Sequence, residues 1–365
     1  MESLVSQDEL LMARNPDGGR SKVLVTGVEG YIGCVLSSRL LQRGYDVDGL
    51  DTGFYQDGWL FHDGQARPHT VYKDIRRVEV DDLIGYDAVI HLAELSNDPL
   101  CEFDETSTYD VNFRGSATLA AKAKAAGVRR FIYASSCSVY GAAGYDAKTE
   151  TSEVNPQTAY ARCKVKVESA LADLNDRSFA TTCLRNATAF GASPRMRFDI
   201  VLNNLAGLAW TTKCIRMTSD GSPWRPLVHV QDICSAAFAV LEAPRDAIAG
   251  EIFNVGDDSQ NYRVIDIVQS VAAAFPGCSV EVGKSNGDNR SYRVSFQKIR
   301  DHLPDYRCEW DAASGAEQLR RIFERIRMTE AVFNAPSYTR LHQLKHLLDT
   351  GQLDSELYWR PHDLS

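Results

Sequence analysis

Short apolar runs alternating with amphipathic or alanine-rich stretches predict an α/β fold: a doubly wound parallel sheet with a smaller mixed α/β lobe at its C-terminal side. Two further observations point the same way. The apolar run 21–26 stops at Gly27, and a helical pattern begins a few residues later. Beyond about residue 190 the loops lengthen, and Pro194, Pro223 and Pro226 interrupt the alternation, so a second architecture begins there.

Residues 21–27 read as a buried parallel strand, because the run is apolar without a polar face. Residues 31–43 read as a helix that Gly44 closes. Strands follow at 45–50, ending at Asp51, and at 86–93. The alanine-rich stretch 112–127 predicts a helix stopped by Gly127, then a strand over 129–136, a helix over 160–174 and a strand over 180–185. In the second architecture a short strand at 251–255 and a helix at 264–275 stand out. Segments 316–327 and 338–348 place Leu, Ile and Phe at helical spacing, which suits packing on the body or on a second subunit. This gives a loose leader over 1–20, a first domain over 21–190 and a smaller lobe over 191–315 that shares its boundary through segments crossing back. A helical extension over 316–365 completes the chain.

With 365 residues the chain exceeds one average domain. Hydrophobic content of 44% and charged content of 24% are those of a soluble globular protein. A net charge of −9 without a long Lys/Arg block argues against a nucleic-acid partner. Nine scattered cysteines, without a Cys-x-x-Cys pair, fit reduced thiols and neither a disulfide framework nor a zinc site. No run is apolar enough for a membrane span, and Glu2, Asp8 and Glu9 stand where a signal peptide would be basic, so the expected location is cytoplasmic.

The run Thr26-Gly27-Val28-Glu29-Gly30-Tyr31-Ile32-Gly33 follows a predicted strand and opens a predicted helix, the context a dinucleotide site needs. Gly27 permits the turn, Gly30 lets backbone approach a pyrophosphate, and Gly33 lets helix and strand pack closely. The helix N-terminus then faces the negative charge. Asp51, at the end of the second strand, can accept hydrogen bonds from the adenosine ribose and repels a 2′-phosphate. No Arg or Lys follows it within several positions, so NAD is expected rather than NADP. Asp74 and Ile75 are placed to meet the adenine ring, the carboxylate on its amino group and the apolar side chain on its face. The first domain is thus read as a Rossmann-type NAD-binding unit.

Tyr160 and Lys164 lie four residues apart on a predicted helix and share one face. The ammonium favours the phenolate, which is expected to lower the phenol pKa toward working pH. Ser136 ends a buried strand, where a hydroxyl can orient a substrate alcohol. A dinucleotide beside this trio predicts a nicotinamide-dependent enzyme acting on a secondary alcohol.

The chain resembles the extended short-chain dehydrogenase/reductases of the nucleotide-sugar epimerase/dehydratase family over roughly 22–310. The likeness rests on the glycine motif, His91-Leu92-Ala93, Asn112 with Gly115, Ser135-Ser136-x-x-Val139-Tyr140-Gly141 and Tyr160-x-x-x-Lys164. Leu184-Arg185, Arg225 with Val228-His229-Val230-x-Asp232, and Asn254-Val255-Gly256 extend it. The resemblance implies NAD held by Tyr31, Ile32, Leu92, Ala93, Asn112, Tyr160 and Lys164 beside the glycines, Asp51, Asp74 and Ile75. It also implies a nucleoside-diphosphate sugar in the second lobe, transient oxidation at the sugar C4, and a homodimer. Arg225 and Arg290 would bind the diphosphate, a role that suits a forked donor.

Departures from the family pattern narrow the reaction. Water-eliminating members carry Asp-Glu just after the catalytic Ser/Thr, and decarboxylating members keep the Glu; here Cys137 and Ser138 stand there. Elimination needs a carboxylic acid at the leaving hydroxyl, so epimerisation is expected, with a one-way dehydrogenase or ketoreductase as the alternative. Cys137 is either a small buried thiol or a base beside a transient ketone. Thr188 stands where the family shows Asn, with Asn186 nearby, and Glu94-Leu95-Ser96-Asn97-Asp98 replaces the usual small residues. Glu94, Ser96, Asn97, Cys137, Asn186 and Thr188 are therefore expected to face the sugar.

Overall fold

The computed structural model describes residues 20–141, 146–217, 219–284 and 291–361; the expected leader falls almost entirely outside them. Twelve strands run in chain order. They are β1 Lys22–Thr26, β2 Asp46–Asp51, β3 His69–Tyr72, β4 Ala88–His91, β5 Arg130–Ser136, β6 Ala180–Asn186, β7 Thr188–Phe190, β8 Cys214–Arg216, β9 Trp224–His229, β10 Glu251–Val255, β11 Asn261–Arg263 and β12 Ser279–Glu281.

Seven of them form one parallel sheet in the order β10-β6-β5-β4-β1-β2-β3. The order reverses between β1 and β4, and that switch point opens a crevice at the strands' C-terminal ends. β4 and β6 are buried at every position, and the polar side chains of β6 find partners there, Thr182 on the Ile248 carbonyl at 2.7 Å and Arg185 on Glu168 at 2.7 Å. One sheet face is covered by helices Tyr31–Gln42 and Val230–Glu242, around Val25, Leu36 and Phe238. The other is covered by helices Ser116–Ala125 and Ala159–Leu174, around Leu119, Phe131 and Leu171.

A smaller lobe contains the three-stranded sheet β11-β9-β7 and helices Val201–Thr211, Val264–Ala274 and Ala312–Arg325, which share a core of Leu202, Val268, Leu319 and Phe323. Helix Arg340–Asp349 and the residues after it form a fourth apolar cluster, in which Leu344, Leu347 and Leu357 meet Phe54, Leu95 and Leu100.

The chain crosses back after residue 190: helix Val230–Glu242 packs on the main sheet and β10 pairs with β6 as its edge. The stretch 112–127 is not one α-helix: Tyr109–Gly115 is a π-helix that runs into Ser116–Ala125. Strand β3 had no forecast, because His69–Tyr72 is a mostly exposed edge strand without an apolar face.

Candidate active site

The C-terminal ends of β1, β2 and β4 border a cleft. Gly27, Gly30, Tyr31, Ile32, Gly33, Asp51, Asp74, Ile75, Leu92 and Ala93 all line it. Gly27 has φ of +72°, and a Cβ there would lie 2.8 Å from the backbone of Leu92 and Ala93. A Cβ on Gly33 would lie 2.1 Å from the Gly27 carbonyl, so the helix could not seat against the turn. The loop is thus built for close backbone approach, the geometry that a pyrophosphate requires.

Asp51 is buried at the end of β2. Its Oδ2 accepts from the Glu29 N–H at 2.9 Å and its Oδ1 from the Gly53 N–H at 2.8 Å. Burial pushes its carboxyl up, and these two hydrogen bonds pull against that. Each oxygen retains acceptor capacity toward the cleft. Asp74 lines the same cleft; Arg76 forks its carboxylate, Nε to Oδ1 at 3.0 Å and Nη2 to Oδ2 at 2.7 Å, and Oδ2 keeps acceptor capacity. Asn112 lies beneath the cleft wall, fully buried. Its amide brackets Leu95, accepting from the backbone N–H and donating to the carbonyl, both at 2.8 Å. It therefore shapes the loop after Ala93 instead of lining the cleft.

A second cleft adjoins the first and contains Ser136, Tyr160 and Lys164. Thr158 caps the helix that carries the pair, accepting from the Ala161 N–H at 3.2 Å. Lys164 Nζ lies 5.2 Å from the Tyr160 ring centre and 4.6 Å from that of Tyr133. It donates to Glu94 Oε2 and to the Ala134 carbonyl. The Tyr133 hydroxyl donates to Glu94 Oε1 at 2.6 Å. Behind Glu94, Ser116 Oγ bonds His91 Nε2 at 2.8 Å, and His91 Nδ1 bonds Thr26 Oγ1 at 2.6 Å. Burial drives His91 down to about 3, so the ring in this chain is neutral.

The electrostatics correct one expectation. Burial raises the Tyr160 phenol; Lys164 pulls it back, Glu94, Cys101 and Asp98 push it up again, and the net direction is upward. Burial also works against the Lys164 ammonium, but Glu94 and Tyr160 more than offset it, and Lys164 stays charged.

Among the expected sugar-facing residues, Glu94, Ser96, Asn97, Asn186, Thr188 and Arg225 line the second cleft. Asn97 is also a helix cap, accepting from the Leu100 N–H at 3.0 Å, and its amide donates to Asp199 at 2.7 Å. Cys137 does not line the cleft. It is wholly buried, its thiol donates to the Arg185 carbonyl at 3.1 Å, and burial pushes it far above the ordinary thiol range, so it is no base. Arg290 lies outside the described residues.

Sequence reasoning missed Arg197 and Arg340. Arg197 lines both clefts, donating from Nε to Asp199 at 2.8 Å and from Nη1 to Ser96 at 3.1 Å. Its Nη2, with Ser138 Oγ and Asn186 Oδ1, is buried without a partner among the described residues. Three orphaned polar atoms on one wall are what a polar ligand would satisfy. The spacing of Arg195 and Arg197 after Pro194 was the only signal available for Arg197.

The model of the NAD dependent epimerase/dehydratase family matches residues 23–256. The UDP-glucose 4-epimerase of Rhizobium leguminosarum bv. trifolii is 28% identical over 323 residues, covering 79% of this chain and 96% of that protein. The low-salt glycan biosynthesis protein Agl12 of Haloferax volcanii is 30% identical over 308 residues, covering 81% and 96%. Among solved structures, the dTDP-glucose 4,6-dehydratase DesIV of Streptomyces venezuelae, with NAD and TYD bound, superposes with a TM-score of 0.74. It is 24% identical, covering 85% of this chain and 99% of that one.

Proposed function

Because the chain belongs to the NAD dependent epimerase/dehydratase family, we propose that it is a nucleotide-sugar epimerase working through transient oxidation at the sugar C4. Bound NAD supplies the hydride acceptor and, from its reduced form, the returning hydride. Tyr160 takes the C4 hydroxyl proton as the hydride leaves and gives it back when the hydride returns to the other face. Ser136 orients that hydroxyl, and Lys164 holds the positive charge that steadies the phenolate. Arg225 and Arg290 pair with the sugar's diphosphate.

One observation carries epimerisation over elimination. Among the described residues, the acids lining the second cleft are Glu94 and Asp98. Glu94 is held by Lys164 and Tyr133, and Asp98 accepts from the Thr158 hydroxyl at 2.7 Å. The positions after Ser136, which would supply a leaving-group acid, are a buried thiol and a serine.

The test is incubation of the NAD-loaded enzyme with UDP- and dTDP-hexoses and hexuronates. Epimer formation without net NADH is the expected result. Steady accumulation of NADH would assign a one-way dehydrogenase instead, and a 4-keto-6-deoxy product would assign a dehydratase. Tyr160→Phe should retain NAD and lose roughly 10²- to 10⁴-fold in kcat; undiminished turnover would remove the phenol from the chemistry.

A further inference from the structure

Arg340 is a buried cation without a counter-ion in contact. It is 3% exposed, its guanidinium stacks 3.9 Å from the Tyr55 ring centre, and it lines the dinucleotide cleft. Its backbone is tied down, the N–H donating to Asp199 Oδ2 at 3.0 Å. The guanidinium itself forms no hydrogen bond or ion pair among the described residues. Asp199 is already shared, since Arg197 and Asn97 both donate to it. Arg197 adds a second guanidinium on the same cleft, with Nη2 unpartnered. Asp199 and Asp51 lie near enough to attract the Arg340 guanidinium, but neither bonds it, and guanidinium donors left without acceptors in a buried cleft are unfavourable unless a ligand completes them.

We propose that Arg340 and Arg197 bind the diphosphate bridge of NAD, and that the segment from Arg340 to Arg360 is a strap holding the coenzyme in its cleft. The proposal rests on NAD as the cofactor and is independent of the sugar. Position selects the diphosphate over a 2′-phosphate. Asp51 marks the ribose end of the cleft and repels extra phosphate there, whereas Arg197 sits where the dinucleotide cleft meets the Tyr160 cleft. A cation pair with one member at that junction addresses the middle of a dinucleotide. A forked donor suits phosphate oxygens.

The strap is anchored at both sides of the adenosine end. Trp359 Nε1 donates to the Thr52 carbonyl at 2.6 Å, and its ring lies 5.7 Å from Phe54. Gln343 donates to the Phe54 carbonyl at 3.1 Å. Across the cleft, Arg76 donates to the Glu356 carbonyl at 2.9 Å and stacks on Tyr358 at 3.9 Å. The segment therefore ties the loop after β2 to the turn after Asp74, the two edges between which the adenosine half would lie.

The experiment measures the affinity of the full-length apoprotein for NAD, NADP and adenosine, and the release rate of NAD, in the wild type, Arg340→Gln and Trp359→Ala. Arg340→Gln should bind NAD about 10- to 100-fold more weakly, the range for one charge-assisted contact, with adenosine binding unchanged. Trp359→Ala, which leaves both cations in place, should release NAD at least several-fold faster. Equal NAD affinity in Arg340→Gln and wild type overturns the diphosphate assignment. A loss confined to NADP overturns it as well, by placing the cation on the 2′-phosphate. Should Arg340→Gln fail to fold, unchanged NAD release from Trp359→Ala still overturns the strap. A wild type that binds no NAD at all would refute the cofactor itself, a distinct outcome.

Discussion

Glu94 controls how strongly Lys164 can act on Tyr160. In a site with only the phenol and the ammonium, the cation would pull the phenol down; here burial pushes it up, and the buried Glu94 carboxylate adds to that push against Lys164. The charged and titratable groups around Glu94 are Lys164, Tyr133, Tyr160 and the neutral His91, with Ser116 as a hydroxyl partner. Glu94→Gln removes a negative charge from this set, so the phenol pKa falls and the acid limb of the kcat–pH profile moves to lower pH. A profile that stays put or moves to higher pH would show that Glu94 does not tune the phenol. Tyr160, Lys164 and Ser136 were legible because spacing and strand position determine them. Glu94 was visible only as a departure from pattern, and its pairing with Lys164 was not. Arg340 was illegible, since nothing in a sequence marks one arginine of a surface-like helix as buried beside a distant loop.

The π-helix Tyr109–Gly115 shows what an element adds to its residues. An alanine-rich stretch with a glycine stop announces a helix, but the extra residue per turn has no compositional mark. Asn112 lies within it and clamps Leu95, which sets the course of the loop from Glu94 to Asn97. Asn112→Ala leaves a buried N–H and a buried carbonyl unpaired, so unfolding free energy should fall by about 2–4 kcal/mol. Urea denaturation measures it; a loss below about 1 kcal/mol would mean that the loop finds other partners. Strands such as β1 and β4 were legible for the opposite reason: helices cover both faces of the sheet, so their sequences are apolar without a polar face. β3 eludes such reading because it is an exposed edge strand without an apolar face, and the strap because its hydrogen bonds come from chain far away in sequence.

On the scale of the whole molecule, Asp232 joins the main body to the lobe. From helix Val230–Glu242 it accepts the N–H groups of Glu309 at 3.1 Å and Trp310 at 3.2 Å, just before helix Ala312–Arg325 begins. Burial holds its carboxyl up to about 6 despite those hydrogen bonds. A folded-state pKa above the ordinary carboxylate value means that the native form binds the proton more tightly. The contribution of this site is therefore most favourable below about pH 4 and is lost as pH rises through about 6. Asp232→Asn should gain on the wild type in melting temperature between pH 5 and pH 8, by an amount corresponding to at most about 3 kcal/mol. Parallel pH curves for the two proteins would show that the carboxylate is solvated enough to titrate normally.

The tail that crosses from Thr52 to Arg76 has a consequence for how such a catalyst answers to its surroundings. On the epimerase reading proposed above, a pyridine nucleotide held beneath it would be recycled in place, and reducing equivalents would not leave the protein. The direction of conversion would then follow the ratio of the two sugars alone, deaf to whether the cell is rich or poor in oxidised coenzyme.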